Sequence, residues 1–336
     1  MRNKRVLFYS SVKDKTSFDL VQFYNIDITI LKDLGYEVLL SNSIRDAWKF
    51  WTYDFVFAYF YRYSFFVALI AHIFGKKSFF TGGVDSLNPK NIGTNDYKIQ
   101  ALFFRLCYAV CCRAIVVSQT DMENIKTIVR NTKKLAYSEH TIPVNKYHAD
   151  IKQKKDIFVT IGWTALSSIE RKGIDKAVKV FAKLQSFVKF SNSKLVLVGT
   201  PGDGDGYLRQ LIKDYNIEDK VDIRGNISED EKINLLEEAK YYFQLSSFEG
   251  FGLAALEAVC AKCILIHSGR GGLSNPIYSD EILFNIDGEL DSEADLLYPR
   301  LLQFDDKTIE SSYQRVVENY GNERRKRDFE RILLPL

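Results

Sequence analysis

The sequence carries little net charge of either sign. Its 46 lysine and arginine residues nearly balance 43 aspartate and glutamate residues, which leaves a formal charge of +3 at pH 7. Chains that bind nucleic acid generally present a strong basic field. Basic residues gather only locally, at 152–155 and 324–327. The second group suits either contact with a membrane surface or a solvated helix face. We therefore expect no nucleic-acid partner.

Cysteine is scarce as well, with 5 residues, an odd number. Secreted disulfide frameworks are denser and paired, so we expect free and mostly buried thiols in a reducing compartment. The amino-terminal segment, MRNKRVLFYSSVKDK, contains an apolar run too short for a signal-peptide core. Both features indicate a cytoplasmic protein.

Long uncharged apolar runs are also missing. The best candidate for a membrane span is FVFAYFYRYSFFVALIAHIF, residues 55–74, and Arg62 stands near its centre. A central arginine is costly in a spanning helix. We expect instead a strand over 55–59, a turn, and a buried helix over 65–74.

The chain does contain a regular alternation of short apolar, β-rich runs with longer helical ones. Such apolar runs, separated by helices, indicate parallel strands buried on both faces. A polar, lysine-rich segment at 150–156 interrupts the alternation and is typical of a linker. The expected fold class is α/β, with two doubly wound Rossmann-like domains facing an interdomain cleft and C-terminal helices. The predicted domains are 1–150, 151–315, and a helix over 316–336 that packs back on the first domain.

The segment richest in chemical groups is LSSFEGFGLAALEAV, residues 245–259. Gly250 and Gly252 allow the backbone to approach a ligand, and the N–H groups of a helix start suit an anion. Glu249 and Glu257 could then reach one elongated polar molecule. On spacing alone, an ordinary helix start with one exposed glutamate is an equally good interpretation.

The same segment also resembles a dinucleotide fingerprint, G-x-G-x-x-A over residues 250–255, with a helix expected to open near Phe251. That fingerprint needs an acidic residue at the end of the next strand. The next apolar run, 264–267, leads into Ser268, Gly269 and Arg270. The dinucleotide interpretation is weaker for that reason.

A second cluster is SIERKGID, residues 168–175. Arg171 and Lys172 precede Gly173 and an expected helix start. Two cations beside helix N–H groups form a plausible diphosphate clamp. A solvated basic turn is the common alternative.

Taken together, the span from about 157 to 274 resembles the donor-binding domain of glycosyltransferase family 4, a group of retaining enzymes with the GT-B fold. The match is collinear along the chain. It comprises Gly162 after a strand, RKG at 171–173, LVLVGTPGDGDGYLRQL at 195–211, KVDIRGNIS at 220–228 and SSFEGFGLAALEA at 246–258. The last piece carries an E-x7-E signature as Glu249 and Glu257. The first half of the chain fits only by its alternating layout.

The resemblance implies a role for each motif residue. Lys172 and Arg171 would bind the donor diphosphate, and Glu249 would face the donor sugar and the positive charge that develops at its anomeric carbon. Glu257 would hold the ribose hydroxyls. The further donor-binding positions are Gly162, Arg224, Gly250, Phe251, Gly252 and Leu253.

Two departures from the family pattern stand out. The residue after Gly162 is Trp163, where the family usually has arginine, so we expect Arg171 to supply that cation. In the first half many members place a histidine after the fourth strand. This chain has Gly82, Gly83 and Asp85 there instead, and we expect Asp85 to position an acceptor hydroxyl. A turn residue is the alternative for Asp85.

Metal ligation is poorly supported by the sequence. Asp203 and Asp205 resemble a D-x-D motif, but their Gly/Asp-rich loop is typical of a turn. Cys260 and Cys263 lack a second ligand pair at useful spacing and suit a core. We expect neither a metal nor another cofactor.

The resemblance implies a retaining glycosyltransferase that uses a nucleotide-diphosphate sugar. Its expected acceptor is a glycan or lipid-linked glycan, in bacterial surface polysaccharide synthesis. Aromatic residues in the first half, including Trp48, Phe50 and Trp51, suit either a core or peripheral contact with the cytoplasmic membrane face. The alternative functions are a catalytically weak homologue that acts as a scaffold or nucleotide-binding subunit of a glycan-assembly complex, and a nucleotide sensor without chemistry.

Overall fold

The structure is a computed structural model that describes residues 3–82, 87 and 94–334. It divides into two compact units, Met1–Pro143 with Tyr320–Leu336, and Val144–Asn319. The domain boundaries predicted after residues 150 and 315 lie seven and four residues from these divisions. Each unit has its own parallel six-stranded sheet and its own apolar core.

The first unit is organised around an aromatic core. Strand residues such as Phe55–Tyr59 are completely buried, because helices cover both faces of a parallel sheet. The sheet order is β2-β1-β3-β4-β5-β6. Its strands are β1 Arg5–Tyr9, β2 Glu37–Ser41, β3 Phe55–Tyr59, β4 Lys77–Thr81, β5 Arg113–Val116 and β6 Leu135–Tyr137.

The helices of the first unit follow the predicted alternation with one change. The helical run of residues 18–34 forms two helices, because Val21 between them is extended. The helices are α1 Ser17–Leu20, α2 Gln22–Asp33, α3 Ser64–Ile73, α4 Thr94–Val110, α5 Gln119–Ile128 and α13 Asn322–Leu333. The candidate span 55–74 folds as β3 and α3, and none of the described helices is long and apolar enough to cross a membrane.

The second unit repeats the architecture with the sheet order β12-β11-β10-β7-β8-β9. Its strands are β7 Lys155–Ile161, β8 Lys194–Val198, β9 Val221–Arg224, β10 Ala239–Gln244, β11 Ile264–His267 and β12 Ile282–Leu283. Its helices are α6 Leu166–Lys172, α7 Ile174–Leu184, α8 Asp205–Asp214, α9 Glu229–Glu238, α10 Leu253–Cys260, α11 Leu290–Gln303 and α12 Asp306–Tyr320. The sequence patterns missed β6 and β12, which have only three and two residues.

The basic group at 324–327 contains a buried residue, so the solvated-face interpretation is wrong for Arg325. Arg325 is completely buried, and its Nε and Nη2 atoms donate to the two carboxylate oxygens of Asp27 on α2, at 2.6 and 2.9 Å. Its Nη1 atom donates to the backbone oxygens of Ser138 and Glu139. Burial alone would lower the pKa of the guanidinium, but the Asp27 carboxylate raises it. This buried ion pair fixes α13 on the first unit.

We expect Arg325→Met to lower the free energy of unfolding by about 3–5 kcal/mol, because the Asp27 carboxylate would stay buried without its cation. Chemical denaturation measures the change. The matched control is Arg327→Met on the exposed side of the same helix, for which we expect a change below about 0.5 kcal/mol. Equal stability of R325M and the wild type would contradict the assignment.

Candidate active site at the carboxyl edge of the second sheet

The predicted donor-binding residues lie at the ends of three strands of the second sheet. Gly162 comes directly after β7, Arg224 ends β9, and Glu249 follows β10. All pairings in this sheet are parallel, so the carboxyl ends of its strands lie at one edge. Ligands of α/β proteins bind at such edges.

Glu249 is held at this edge by three donors. Its side-chain oxygen Oε1 accepts from Lys172 Nζ at 2.5 Å, Ser246 Oγ at 2.7 Å and Gln244 Nε2 at 2.8 Å. Glu249 is only 6% exposed. Because a buried carboxylate is costly unless it is paired and hydrogen-bonded, these donors fix its position. The sequence analysis missed Gln244 and Ser246, although polar residues at the end of an apolar strand were a usable signal.

The Arg171–Lys172 pair reaches Glu249 because a glycine lets two backbone segments touch. The pair ends α6, and Gly173 adopts a left-handed conformation with φ +66° before α7 begins. A Cβ atom on Gly173 would lie 2.1 Å from the carbonyl oxygen of Leu245. The N–H of Ser247 donates to the Arg171 carbonyl at 2.8 Å. A solvated basic turn therefore does not describe this segment.

The Arg171 side chain points to the same loop. Its Nη1 atom lies 3.5 Å from the Phe248 carbonyl oxygen. Trp163, at the position where family members usually have arginine, is 66% exposed. The proposed compensation by Arg171 stays a prediction, although the contact with Phe248 holds this cation near Glu249.

The helix after Glu249 begins two residues later than expected. Gly252 is its N-cap with φ +90°, and α10 starts at Leu253. The N–H groups of Ala255 and Leu256 donate back to the Gly252 carbonyl. The first N–H groups of a helix have no partner within it and attract an anion. Gly250, Phe251, Gly252 and Leu253 thus form the turn into a helix start beside Lys172 and Glu249.

A second loop, residues 270–272, contacts the backbone of Glu249. The N–H of Gly272 donates to the Glu249 carbonyl at 2.6 Å, and Gly271 pairs with Glu249 as an isolated bridge. A Cβ atom on Gly271 would lie 2.1 Å from that carbonyl oxygen. Arg270 of this loop forms an ion pair with Asp287. Sequence reasoning missed the loop, and its GRGG string was the signal.

Glu257 is buried, so the interpretation as an exposed glutamate is wrong. It is 2% exposed, and its Oε1 atom accepts from Lys232 Nζ on α9 at 2.8 Å. Lys232 also contacts Glu229 at 3.0 Å. Burial alone would lower the pKa of Lys232, but the carboxylates of Glu257 and Glu229 raise it. Lys232 is thus a positioning cation that the sequence did not indicate.

The charges of both carboxylates act on one buried tyrosine. Tyr242 is completely buried, and its hydroxyl lies 3.2 Å from the amide oxygen of Gln244. Burial, and then the charges of Glu257 and Glu249, raise its pKa well above the usual value. Tyr242 therefore stays protonated, and its hydroxyl faces Gln244.

The remaining donor-binding residues have smaller parts at this edge. Gly162 donates from its N–H to the Val198 carbonyl at 2.8 Å. Arg224 contributes its carbonyl, which accepts from Gly199 N–H at 3.3 Å, whereas its half-exposed side chain pairs with Asp222 at 2.7 Å. The Arg224 guanidinium is thus engaged on the sheet surface.

Of the acceptor-side candidates, Gly82 alone lies within the described residues, and Gly83 and Asp85 lie outside them. Gly82 has φ +123°, and a Cβ atom there would lie 3.1 Å from the ring of Phe60. The conformation and the close approach explain why a glycine follows β4.

The acidic loop and the cysteine pair have structural partners. Asp203 accepts from Leu166 N–H at 2.9 Å and so caps α6, while Asp205 bonds Thr164. Cys260 and Cys263 are buried free thiols, and the Cys263 thiol donates to the Leu236 carbonyl. Across the described parts of the chain, no group of three or more His, Cys, Asp and Glu side chains is placed to hold a metal ion.

A family model and curated relatives match parts of the chain. Residues 145–291 match the family model for glycosyl transferases group 1. Over 166 residues the chain is 30% identical to the GDP-mannose:cellobiosyl-diphosphopolyprenol alpha-mannosyltransferase of Xanthomonas oryzae, covering 48% of this chain and 41% of that protein. Over 211 residues it is 24% identical to the phosphatidylinositol N-acetylglucosaminyltransferase gpi3 subunit of Schizosaccharomyces pombe, covering 62% and 45%. The chain thus spans less than half the length of these two relatives.

Solved structures share the fold along almost the whole chain. Anabaena Alr3699/HepE, in complex with UDP and glucose, has a TM-score of 0.77 at 14% identity, covering 99% of this chain and 100% of that one. Sucrose-phosphate synthase from Thermosynechococcus elongatus has a TM-score of 0.76 at 13% identity, covering 99% and 98%. At such identities the likeness shows the fold alone. The expected GT-B class with two Rossmann-like domains is confirmed.

The contact of Gly173 with Leu245 is open to a direct test. We expect Gly173→Ala to lower the free energy of unfolding by more than about 1 kcal/mol, since Ala fits neither the left-handed backbone nor the space. Gly206→Ala is the matched control, because nothing lies within 4 Å of a Cβ there. Thermal unfolding distinguishes them, and equal stability of G173A and G206A would refute the assigned constraint.

His267, at the end of β11, is expected to make stability depend on pH. Burial lowers its pKa to about 4, against about 6.5 in an unfolded chain. Between these values the unfolded chain binds a proton that the folded chain does not. The contribution of neutral His267 to the free energy of unfolding is therefore complete above pH ~6.5. It declines as the pH falls to about 4, by up to about 3 kcal/mol.

The measurement is urea denaturation of the wild type and His267→Asn at several pH values. Glu281 has the opposite effect on the pH dependence of stability. Because burial raises its pKa to about 7, the stability that the protonated carboxyl group contributes is lost as the pH rises. Its effect cancels in the difference between the two proteins. A pH-independent difference would contradict the assignment to His267.

Proposed function

We propose that this chain, whose residues 145–291 match the family model for glycosyl transferases group 1, moves a sugar from a nucleotide-diphosphate sugar to a hydroxyl group of an acceptor, with retention of anomeric configuration. The observation that carries the proposal is the contact of Lys172 with Glu249 at 2.5 Å, beside the start of α10. A cation, a fixed carboxylate and helix N–H groups together suit a diphosphate joined to a sugar.

The donor diphosphate would meet Lys172, Arg171 and the first N–H groups of α10. An ammonium group has three donors, so Lys172 can keep its bond to Glu249 and still donate to phosphate oxygens. Negative charge grows on the departing diphosphate, and stabilising charge that develops in the transition state is usually the largest catalytic effect. In this scheme the side chains and N–H groups supply the positive charge, and neither a metal nor another cofactor is required.

Glu249 would face the developing positive charge at the anomeric carbon. The acceptor hydroxyl would attack from the face that the diphosphate leaves, and its proton would pass to the departing phosphate oxygen. Glu257, oriented by Lys232, would hold the ribose hydroxyls. The fixed positions of both carboxylates support these roles, because an oriented group costs no reorganisation during reaction.

The acceptor we propose is a lipid-linked glycan in bacterial surface polysaccharide synthesis. The names of the two curated relatives described above each contain a lipid, diphosphopolyprenol in one and phosphatidylinositol in the other. A lipid-linked acceptor would bring the protein to the cytoplasmic face of a membrane as a peripheral protein. Solved structural relatives contain UDP or UDP-glucose, so UDP-sugars belong in the donor panel together with GDP-mannose.

We expect Glu249→Gln to lower the rate of sugar release from the best donor in the panel by about 10²–10³-fold, because the anomeric charge loses its counter-charge. In this variant the affinity for the nucleoside diphosphate, measured by thermal shift, should change little. Lys172→Ala should lower both the rate of sugar release and the affinity for the nucleoside diphosphate. Glu170→Gln, an exposed carboxylate on the same helix as Lys172, is the matched control.

Two outcomes would count against the proposal. Wild-type activity in E249Q would show that the Glu249 carboxylate takes no part in the reaction. Stabilisation of the wild type by a nucleoside diphosphate, but by none of the sugar nucleotides, would favour the alternative of a nucleotide-binding subunit without transfer activity.

A further inference from the structure

Two helices of the first unit each present an apolar stripe to solvent. On α4, Ile99 and Leu102 are 40% and 53% exposed, and partly exposed Phe103 and Leu106 complete an i, i+3, i+4, i+7 stripe. The opposite side of α4, with Ala101, Phe104 and Cys107, is buried in the core. A helix with a second apolar stripe facing water has an unpartnered surface.

Helix α3 continues this surface. Phe66 and Ile73 are 41% and 64% exposed, and partly exposed Leu69 lies between them on the same side. The ring centroid of Phe66 lies 6.2 Å from that of Phe103 on α4. The two stripes are therefore neighbours.

A third segment extends the surface past the end of α3. Phe74 stacks on Phe50 with ring centroids 4.0 Å apart, and it also contacts Trp48 at 6.1 Å. Phe50 in turn contacts Trp51 at 5.2 Å. Trp48 and Trp51 are 55% and 66% exposed. We define the aromatic face as Trp48, Trp51, Phe66, Leu69, Ile73, Ile99, Leu102, Phe103 and Leu106.

Basic residues surround the aromatic face. Lys98 and Arg105 lie on the exposed side of α4, four and three residues from Leu102. At the carboxyl ends of α3 and α4, a cavity of about 340 Å³ is lined by His72, Lys76, Lys77 and Lys134, among others. The acidic residues of segments 44–82 and 94–113 are Asp46, Asp54 and Asp96. Asp46 pairs with Lys49 at 2.9 Å, and Asp54 accepts a hydrogen bond from Arg5 N–H. The charge around the face is therefore positive.

We propose that the aromatic face docks on a bilayer surface that contains anionic lipids. Exposed tryptophan and phenylalanine side chains insert at the boundary between headgroups and acyl chains. Lysines and arginines at the rim attract anionic headgroups, each strengthening binding by roughly fivefold. The proposed function supplies only the reason for the protein to reach a membrane, namely a lipid-linked acceptor. The docking itself does not depend on the proposed function.

The test is co-sedimentation of the whole chain with vesicles of phosphatidylcholine, with and without phosphatidylglycerol. The wild type should bind the phosphatidylglycerol vesicles more strongly, and added salt should weaken that binding. The combined substitutions Trp51→Ser, Phe66→Ser and Leu102→Ser should weaken it by about tenfold or more. The combined substitutions Lys76→Glu and Lys98→Glu should abolish the preference for phosphatidylglycerol.

The matched control removes three exposed apolar side chains from the second unit, with Val188→Ser, Leu296→Ser and Leu302→Ser. These residues are 90%, 63% and 52% exposed, and the control should bind vesicles like the wild type. Light scattering follows the oligomeric state of each protein. A wild-type dimer that the aromatic-face variant dissociates would overturn the proposal in favour of contact between two copies.

Absence of vesicle binding, or equal binding by the aromatic-face variant and the wild type, would also overturn it. Thermal shift with the nucleoside diphosphate separates this inference from the proposed function. The aromatic-face variant should keep the wild-type shift. A chain that binds vesicles but no nucleotide would contradict the proposed function and leave the docking surface intact.

Discussion

The close approach of Gly173 to the carbonyl of Leu245 is the constraint on which the candidate site depends. A side chain at position 173 would collide with that oxygen, so the junction of α6 and α7 can lie against the end of β10 only with a glycine there. This approach brings Lys172 to Glu249 at 2.5 Å and lets Ser247 donate to the Arg171 carbonyl. The glycine of the RKG motif is thus a geometric requirement for the ion pair.

The site also pairs each buried carboxylate with a cation from another helix. Glu249 bonds Lys172 of α6, and Glu257 bonds Lys232 of α9. Removing a carboxylate from water is costly unless such partners replace the lost solvation. The consequence for function is that folding fixes both charges in place, so that a donor meets groups that are already oriented.

The sequence predicted most of the fold because the apolar strands and the glycine-rich turns are local patterns. The segment Phe55–Tyr59 is apolar throughout and forms a central strand, and Gly250 to Leu253 do lead into a helix. Partners distant in the chain were not predictable in the same way. Arg325 looked like a surface residue because its partner Asp27 lies 298 residues away. Lys232 reaches Glu257 only after α9 and α10 have packed together, so no spacing rule could assign it. Gln244 and Ser246 are close to Glu249 in the sequence, and their polar character at the end of an apolar strand was a signal that we missed.

The central claim is that a sugar nucleotide binds at the carboxyl edge of the second sheet with its diphosphate between Lys172 and the start of α10. The most direct measurement is a crystal structure of the chain with the sugar nucleotide that stabilises it most. We expect phosphate oxygens within hydrogen-bonding distance of Lys172 Nζ and of the first N–H groups of α10, with the sugar beside Glu249. A diphosphate bound elsewhere, with Lys172 and Glu249 still joined only to each other, would contradict the claim.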